Sequence, residues 1–132
     1  MIKARMAKEA IVRMNNRIGA LSQVAKSLAD KGINIEAVFA AVEGADAVIR
    51  LVSNDHQRTL EALRDQRLNV QEAKVVAAEI EHRPGLLRQI TEKLARQNID
   101  VLYLYGTAAE GNKSLVVFSS MNNDWAVKIL NE

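Results

Sequence analysis

The feature that most constrains the fold of this 132-residue chain is an internal duplication. Residues 18–21 (Ile-Gly-Ala-Leu) recur 66 positions later as residues 84–87 (Pro-Gly-Leu-Leu). After one inserted residue the offset becomes 67, which carries residues 43–44 onto residues 110–111. Chance does not hold one register over so many apolar positions, so the chain contains two copies of one unit. The apolar pairs in register are Val24 and Ile90, Leu28 and Leu94, Ile33 and Ile99, Ile35 and Val101, Val48 and Leu115, and Leu51 and Phe118.

Within each copy the hydrophobic period changes in a fixed order. Residues 9–14 and 75–80 read as strands, and Leu21, Val24 and Leu28 then recur on one face of an amphipathic helix. Two more strands, a second helix and a further strand follow in the first copy. The order β-α-β-β-α-β predicts an α+β fold with two ferredoxin-like units in tandem, each an antiparallel sheet with helices on one face.

Turn and cap residues recur at matching places. Residues 43–46 (Glu-Gly-Ala-Asp) and 110–112 (Glu-Gly-Asn) predict hairpin turns, because Gly and Asn tolerate positive φ. Residues 53–55 (Ser-Asn-Asp) and 122–124 (Asn-Asn-Asp) supply N-cap side chains for the second helix of each copy.

The second copy ends one strand early. The register assigns residues 1–73 to the first unit and 74–132 to the second, and the counterpart of the strand near residues 68–73 is missing. Residues 75–80 would then be an open edge, which invites pairing. We expect the N-terminal arm or a second chain to cover this edge, and we predict a homo-oligomer, most simply a twofold homodimer.

The second strand of each unit also lies at an edge of its predicted sheet. Because neither unit is large enough to be stable alone, we expect the two second strands, residues 33–42 and 99–105, to pair with one another. Helices on opposite faces of two unconnected sheets would contradict this expectation.

Composition excludes several classes of protein. The chain has no cysteine, so thiolate metal sites, thiol nucleophiles and disulfides are impossible, and its two histidines, His56 and His82, have no metal-ligand spacing. The net charge is only +2, with both signs interleaved along the chain, which favours a solvated surface over a nucleic-acid interface. No apolar run approaches about 20 residues and no secretory signal is present, so we expect a cytoplasmic protein that binds no membrane. We also expect no metal and no cofactor.

The first β-to-α connection of each copy carries the most informative residues. Asn16-Arg17-Ile18-Gly19-Ala20-Leu21 and His82-Arg83-Pro84-Gly85-Leu86-Leu87 resemble the Asp-Arg-Pro-Gly-x-Leu signature of ACT domains, and residues 31–35 and 97–101 resemble the stretch that follows the first helix. The resemblance covers nearly the whole chain. It implies a stand-alone tandem ACT protein, a non-catalytic regulatory module that binds an amino acid or a similar small carboxylate where two ACT units meet. The residues implied as ligand-binding are Asn16, Arg17, Ile18, Gly19, Ala20, Leu21, Asn34, His82, Arg83, Pro84, Gly85, Leu86, Leu87 and Asp100.

The chain departs from the family pattern at four places. The first copy has Ile18 in place of Pro and Asn16 in place of Asp. The second has His82 at that Asp position and Asn98 where Gly is usual. The first loop therefore lacks prolyl rigidity, and the second lacks an acidic partner for an ammonium group at position 82.

Elementary chemistry allows two interpretations of these loops. A strand-to-helix turn containing Gly exposes backbone N–H groups, and the positive end of the helix dipole favours a carboxylate there. Alternatively, Gly19 and Gly85 only permit a tight turn and Asn16 caps the helix. Asn34 and Asp100 are likewise either ligand-facing or simply the polar members of alternating strands.

Two other classes of function share this topology. RNA-recognition domains stack bases on aromatic residues of their central strands, but the corresponding strands here, residues 47–52 and 114–118, contain one aromatic residue, Phe118. Small ferredoxin-like hydrolases use a loop arginine, as Arg17 or Arg83 would be, yet no nucleophile or general base recurs beside either arginine. We therefore expect no catalysis and keep an RNA-binding or protein-interaction module as the alternative.

Overall fold

The computed structural model describes residues 2–109 and 111–132. That part of the chain contains six strands and four helices, and none of these helices is long and apolar enough to cross a membrane. Glu110, which the sequence assigns to the second hairpin turn, lies outside the described residues. The strands are β1 (Lys3–Asn15), β2 (Ile35–Glu43), β3 (Asp46–Ser53), β4 (Asn69–Glu81), β5 (Val101–Ala108) and β6 (Lys113–Ser120), and the helices are α1 (Ala20–Ala29), α2 (His56–Asp65), α3 (Leu86–Arg96) and α4 (Asn123–Leu130).

The described chain divides into two compact units. The N-terminal unit is Lys8–Ala73, and the C-terminal unit consists of residues 2–7 together with Lys74–Glu132. Both β1 and β4 are 13 residues long, and each contributes one part of its length to each unit. The sequence analysis assigned all of residues 1–73 to the first unit, whereas in the structure residues 2–7 belong to the C-terminal unit. The reason is that β1 begins at Lys3, well before the predicted strand at residues 9–14.

In the N-terminal unit the strand order is β4-β1-β3-β2, the order of a ferredoxin-like sheet. β3 pairs antiparallel with both β1 and β2. Alternate residues of the strands, among them Val12 and Ile49, are buried in one core with Val24 and Leu28 of α1 and Leu63 of α2. Each fully buried aliphatic side chain stabilises such a core by about 1.5–3 kcal/mol.

The C-terminal unit repeats this plan with the order β1-β4-β6-β5. β6 pairs antiparallel with both β4 and β5. Val76, Phe118, Ile90 and Leu94 are buried at positions that repeat the N-terminal core. The two units therefore share one architecture, as the duplication predicts.

The N-terminal arm, residues 2–7, belongs to the C-terminal unit, where β1 is the neighbour of β4. Ile2 is buried in the core of that unit and Ala4 packs against it. The Ala4 N–H donates to Asn131 Oδ1 at 2.8 Å, and Asn131 Nδ2 donates to the Ala4 carbonyl oxygen at 2.8 Å. Of the two coverings expected for residues 75–80, the structure shows the N-terminal arm, so this edge gives no reason to expect a second chain.

The expected pairing of the two second strands is wrong. Among the described residues, β2 has β3 as its one hydrogen-bonded neighbour, and β5 has only β6. Both strands are outer edges of their own units. The reason is that each second strand pairs only with the third strand of its own copy, while the long strands β1 and β4 are neighbours of one another, which leaves the second strand of each copy outermost.

The second helix of each copy begins with the side-chain cap expected from the sequence. Asp55 caps α2 by accepting from the Arg58 N–H at 3.2 Å, and Asn122 caps α4 by accepting from the Trp125 N–H at 3.1 Å. The N-cap of α1 is Gly19, with no side-chain cap, so Asn16 does not cap this helix. That alternative interpretation of Asn16 is wrong.

Candidate functional site

A cleft opens at the same place in each unit, between the first β-to-α loop and the edge strand. The N-terminal cleft has a volume of about 510 Å³ and the C-terminal cleft about 530 Å³. The N-terminal cleft is lined by Asn16, Arg17, Gly19, Ala20, Leu21, Ser22, Ala40, Ala41, Val42, Ala47 and Ile49. The C-terminal cleft is lined by Ile80, Glu81, His82, Arg83, Leu86, Leu87, Leu104, Gly106, Thr107, Ala108, Ala109, Gly111, Lys113, Ser114 and Val116.

The loop that forms one wall of each cleft has a conformation that requires glycine. Gly19 and Gly85 occupy the N-caps of α1 and α3 with φ of 91° and 92°, in the left-handed region that residues with a Cβ rarely adopt. Neither helix start has a side-chain cap. At α1 the Ala20 N–H donates to the Arg17 carbonyl oxygen at 3.1 Å. No side chain caps the remaining first-turn N–H groups of either helix.

Each loop is closed against the hairpin turn of its own unit. The Asn16 N–H donates to the Ala45 carbonyl oxygen at 2.9 Å, and the His82 N–H donates to the Asn112 carbonyl oxygen at 2.5 Å. These two bonds occupy corresponding positions of the repeat. They fix the start of the loop, and hence the width of each cleft, without any help from a ligand.

The opposite wall of each cleft is the uncovered edge strand. Val42 of β2 is 59% exposed, and Leu21, at the start of α1, is 48% exposed across the cleft from it. In the C-terminal cleft the wall is formed by Gly106 and Ala108 of β5, opposite Leu87. Apolar side chains left in contact with water at a cleft favour a ligand with an apolar part.

Most of the loop residues predicted from the sequence lie in the clefts. Asn16, Arg17, Gly19, Ala20 and Leu21 line the N-terminal cleft. Among their counterparts, His82, Arg83, Leu86 and Leu87 line the C-terminal cleft, whereas Pro84 and Gly85 do not. Ile18 does not line a cleft either, since its side chain is fully exposed.

Asn34 and Asp100 lie at the other end of their units from the clefts. Asn34 is six to eight residues from the cleft-lining residues of β2, Ala40 to Val42, which is roughly 20–26 Å at about 3.3 Å per residue of extended strand. The Asn34 N–H donates to Asn54 Oδ1 and its carbonyl oxygen accepts from the Asn54 N–H, both at 3.0 Å. The Asp100 carbonyl oxygen accepts from the Met121 N–H at 3.0 Å. Within its own unit each residue thus joins the start of the second strand to the end of the third.

The polar side chains differ between the clefts. In the N-terminal cleft the Arg17 guanidinium donates to the Gln23 side-chain oxygen. In the C-terminal cleft Arg83 Nε donates to Glu81 Oε2 at 3.3 Å, and His82 Nδ1 lies 3.1 Å from Ser114 Oγ. The described residues contain no group of three or more His, Asp or Glu side chains that would hold a metal ion.

Sequence reasoning missed several residues that line the clefts. Glu81 directly precedes the second loop motif, and Lys113 and Ser114 begin the third strand of the second copy. On the N-terminal side, Ala40 and Val42 of the edge strand were also missed. In a ferredoxin-like topology the end of the first strand lies beside the hairpin turn between the second and third strands. The pairing of the first strand with the third was therefore the signal that could have identified these residues.

Comparisons with known proteins agree with this architecture. The family model described as an ACT domain pair matches residues 6–132. Protein BT0572 from Bacteroides thetaiotaomicron, a solved structure, is 26% identical; the match covers 98% of this chain and 89% of that chain, with a TM-score of 0.87. No curated protein sequence matches the chain significantly.

Two more distant structures share the fold. The ligand-free regulatory subunit of aspartate kinase from Thermus thermophilus is 14% identical, with a TM-score of 0.69 over 98% of this chain and 94% of that one. Aspartate kinase from Clostridium acetobutylicum is also 14% identical, with a TM-score of 0.59, and the match covers 98% of this chain and 33% of that one. Because the family model extends over nearly the whole duplicated chain, this protein belongs to the ACT domain pair family.

Proposed function

We propose that this protein is a non-catalytic regulatory module that binds an amino acid, or a similar small carboxylate, in its loop-to-helix clefts. One observation carries the proposal: the two loops with the family motif each form a wall of an equivalent cleft of about 500 Å³. Pockets of this size, largely apolar with a few convergent polar groups, are typical of small-molecule sites.

The chemistry of each cleft fits a carboxylate attached to an apolar group. Arg17 and Arg83 lie beside the uncapped starts of α1 and α3. A guanidinium and backbone N–H groups at a helix N-terminus both donate to carboxylate oxygens. The apolar walls accept the remainder of the ligand.

A regulatory role is supported at the level of the fold. The Thermus thermophilus structure is described as a regulatory subunit, and the Clostridium acetobutylicum kinase as an allosteric enzyme. By analogy, the shared fold supports regulation as the class of function.

The test of ligand binding is a thermal-unfolding screen of the twenty amino acids. A ligand at 100 times its Kd stabilises the protein by about 2.7 kcal/mol, which corresponds to a rise in Tm of roughly 10 °C for a chain of this size. Replacing both cleft arginines, Arg17→Met and Arg83→Met, should remove the rise. Arg64→Met, on the exposed surface of α2 outside both clefts, is the matched control and should keep it.

The proposal fails if no amino acid raises the Tm. It also fails if the double variant and the Arg64→Met control respond equally to the ligand, since the cation beside the helix start would then have no role.

The assembly we propose is a cytoplasmic homodimer formed through exposed edge strands. β2 has one hydrogen-bonded neighbour, and its residues Val38 and Val42 are 42% and 59% exposed. Unpaired strand edges with apolar side chains favour association. Sedimentation over a hundredfold range of concentration tests this, with Val42→Lys as the disrupting variant, and a monomer throughout contradicts it.

A further inference from the structure

An ion pair lies inside the N-terminal unit, away from its cleft. The Glu9 side chain is fully buried, and its Oε1 accepts from Arg50 Nη1 at 2.9 Å, while the Arg50 side chain is 26% exposed. Ala10 of β1 and Leu51 of β3 belong to the core under the helices. Because side chains alternate along a strand, Glu9 and Arg50 lie on the opposite face of the sheet.

The same two positions of the C-terminal unit are valines. The offsets of the duplication carry Glu9 onto Val75 and Arg50 onto Val117, and both valines are fully buried. The register is kept as well, since in each unit the two positions are diagonal neighbours on paired strands. One pair of neighbouring side chains is therefore charged in one unit and aliphatic in the other.

Burial makes the charged version of this pair the less stabilising one. Ions taken out of water lose hydration that their mutual attraction repays only in part. Apolar side chains packed in the place of a buried ion pair therefore stabilise a protein equally well or better. Val75 and Val117 are such a replacement, supplied by the duplication itself.

The cores under the helices are closely matched. Leucine is buried at positions 28 and 94 and at positions 63 and 130, and isoleucine at positions 33 and 99. Other buried positions differ in both directions: Leu86 is larger than its counterpart Ala20, whereas Val12 is larger than its counterpart Ala78. The ion pair is therefore the difference that consistently weakens one unit relative to the other.

We infer that the Glu9–Arg50 pair makes the N-terminal unit the part of this protein that opens first, while the C-terminal unit stays folded. The pair joins β1 to β3, and the ends of these two strands frame the N-terminal cleft through the bond from the Asn16 N–H to the Ala45 carbonyl oxygen. Opening therefore alters that cleft and leaves the other intact. Segments that move in regulation come from the less stable parts of a protein, which the N-terminal unit supplies.

The experiment is native-state amide hydrogen exchange of the full chain, followed residue by residue by NMR. Val12 on β1 and Ile49 on β3 are buried register partners and serve as reporters of the N-terminal unit. Their counterparts Ala78 and Val116 are also buried register partners and report on the C-terminal unit. After correction for intrinsic rates, we expect the N-terminal reporters to exchange about fivefold or more faster than the C-terminal reporters.

The double variant Glu9→Val with Arg50→Val gives the N-terminal unit the side chains of the C-terminal one. It should slow exchange of the N-terminal reporters by about fivefold or more and leave the C-terminal reporters unchanged. Lys26→Gln with Asp30→Asn is the matched control, because this pair on α1 of the same unit is 2.7 Å long and largely exposed. An exposed pair contributes little to stability, so the control should exchange like the unaltered protein.

The single variant Arg50→Val should have the opposite effect to the double variant. It removes this cation from beside a buried carboxylate, so the N-terminal reporters should exchange faster than in the unaltered protein.

Three results overturn the inference: N-terminal reporters as well protected as the C-terminal ones, a double variant that exchanges as fast as the unaltered protein, or an equal slowing in the Lys26 and Asp30 control. The measurement needs no ligand. A failed amino-acid screen would therefore contradict the proposed function and leave this inference standing.

Discussion

The two clefts have the same backbone frame and different side chains. Gly19 and Gly85 begin their helices with φ values one degree apart, and both loops are closed by a backbone bond to the adjacent hairpin turn. The lining residues diverge: Asn16 corresponds to His82, and Ala47 to Ser114. The two copies have therefore kept the backbone conformation of the loop, which the fold requires. The side chains that line the cleft differ between the copies, because the fold does not depend on them.

The first way to sharpen this comparison is to test whether the two cores are equally important. Phe118 and Leu51 occupy corresponding buried positions in the two units. We expect Phe118→Ala to lower the free energy of unfolding by about 3–5 kcal/mol and Leu51→Ala by about 2–5 kcal/mol, through lost burial and the cavity left behind. Urea unfolding measures both, and a loss below 1 kcal/mol at either position would contradict the packing described.

The second prediction concerns the shared loop conformation. Gly19→Val and Gly85→Val each place a β-branched side chain at φ near +90°, which should cost about 1–3 kcal/mol and distort the cleft. Calorimetry with the ligand found in the amino-acid screen should show binding lost in the cleft that carries the substitution. If both variants keep the original affinity, the loops are not the binding sites.

A glycine with ordinary backbone angles provides the control for that pair. A Cβ at Gly106 would lie 3.9 Å from the Leu115 carbonyl oxygen, an ordinary contact, and this residue has no positive φ. Gly106→Ala should therefore leave the stability unchanged or raise it by up to about 1 kcal/mol. If Gly106→Ala does not lower the stability while Gly19→Val and Gly85→Val do, the loss at those two positions is due to backbone strain.

The third prediction tests the segments that complete the two sheets, which are residues 2–7 in the C-terminal unit and residues 69–73 of β4 in the N-terminal unit. Asn131→Ala removes both hydrogen bonds to Ala4 and should cost about 1–2 kcal/mol, with faster amide exchange along residues 75–80 of β4. Arg64 holds the corresponding position in the N-terminal unit. Arg64→Ala should change exchange at neither edge, and equal effects of the two variants would contradict a specific role for Asn131.

The smallest expected effect is a pH dependence confined to the N-terminal unit. The hydrogen bond between His56 Nε2 and Glu72 Oε2, 2.6 Å long, holds the pKa of the Glu72 carboxyl below its ordinary value of 4.5. Because the folded pKa is the lower one, the stabilisation is present above about pH 4.5 and is lost as the pH falls through the folded value. His56→Ala should therefore be less stable than the unaltered protein at neutral pH and equally stable in acid. Urea midpoints measured at several pH values will show this.

Comparison of sequence and structure shows where local signals suffice. The duplication, the order of elements, and the caps at Asp55 and Asn122 are all properties of short segments, and the structure confirms them. Arg17 and Arg83 line the two clefts together with apolar neighbours, because a β-to-α turn fixes its own side chains relative to the helix that follows.

The sequence by itself determined that this protein has two α+β units, each with a glycine-bearing loop at the start of its first helix. Only the tertiary structure decided that residues 2–7 complete the C-terminal unit, that β2 and β5 are outer edges, and that Glu81 lines a cleft while Asn34 and Asp100 lie far from one. The physical reason is that hydrophobic period and turn chemistry act over a few residues, whereas strand pairing joins segments that are distant in the chain. Any strand edge with alternating apolar and polar residues can form such a pairing locally. Which edges pair is therefore decided by the complete fold.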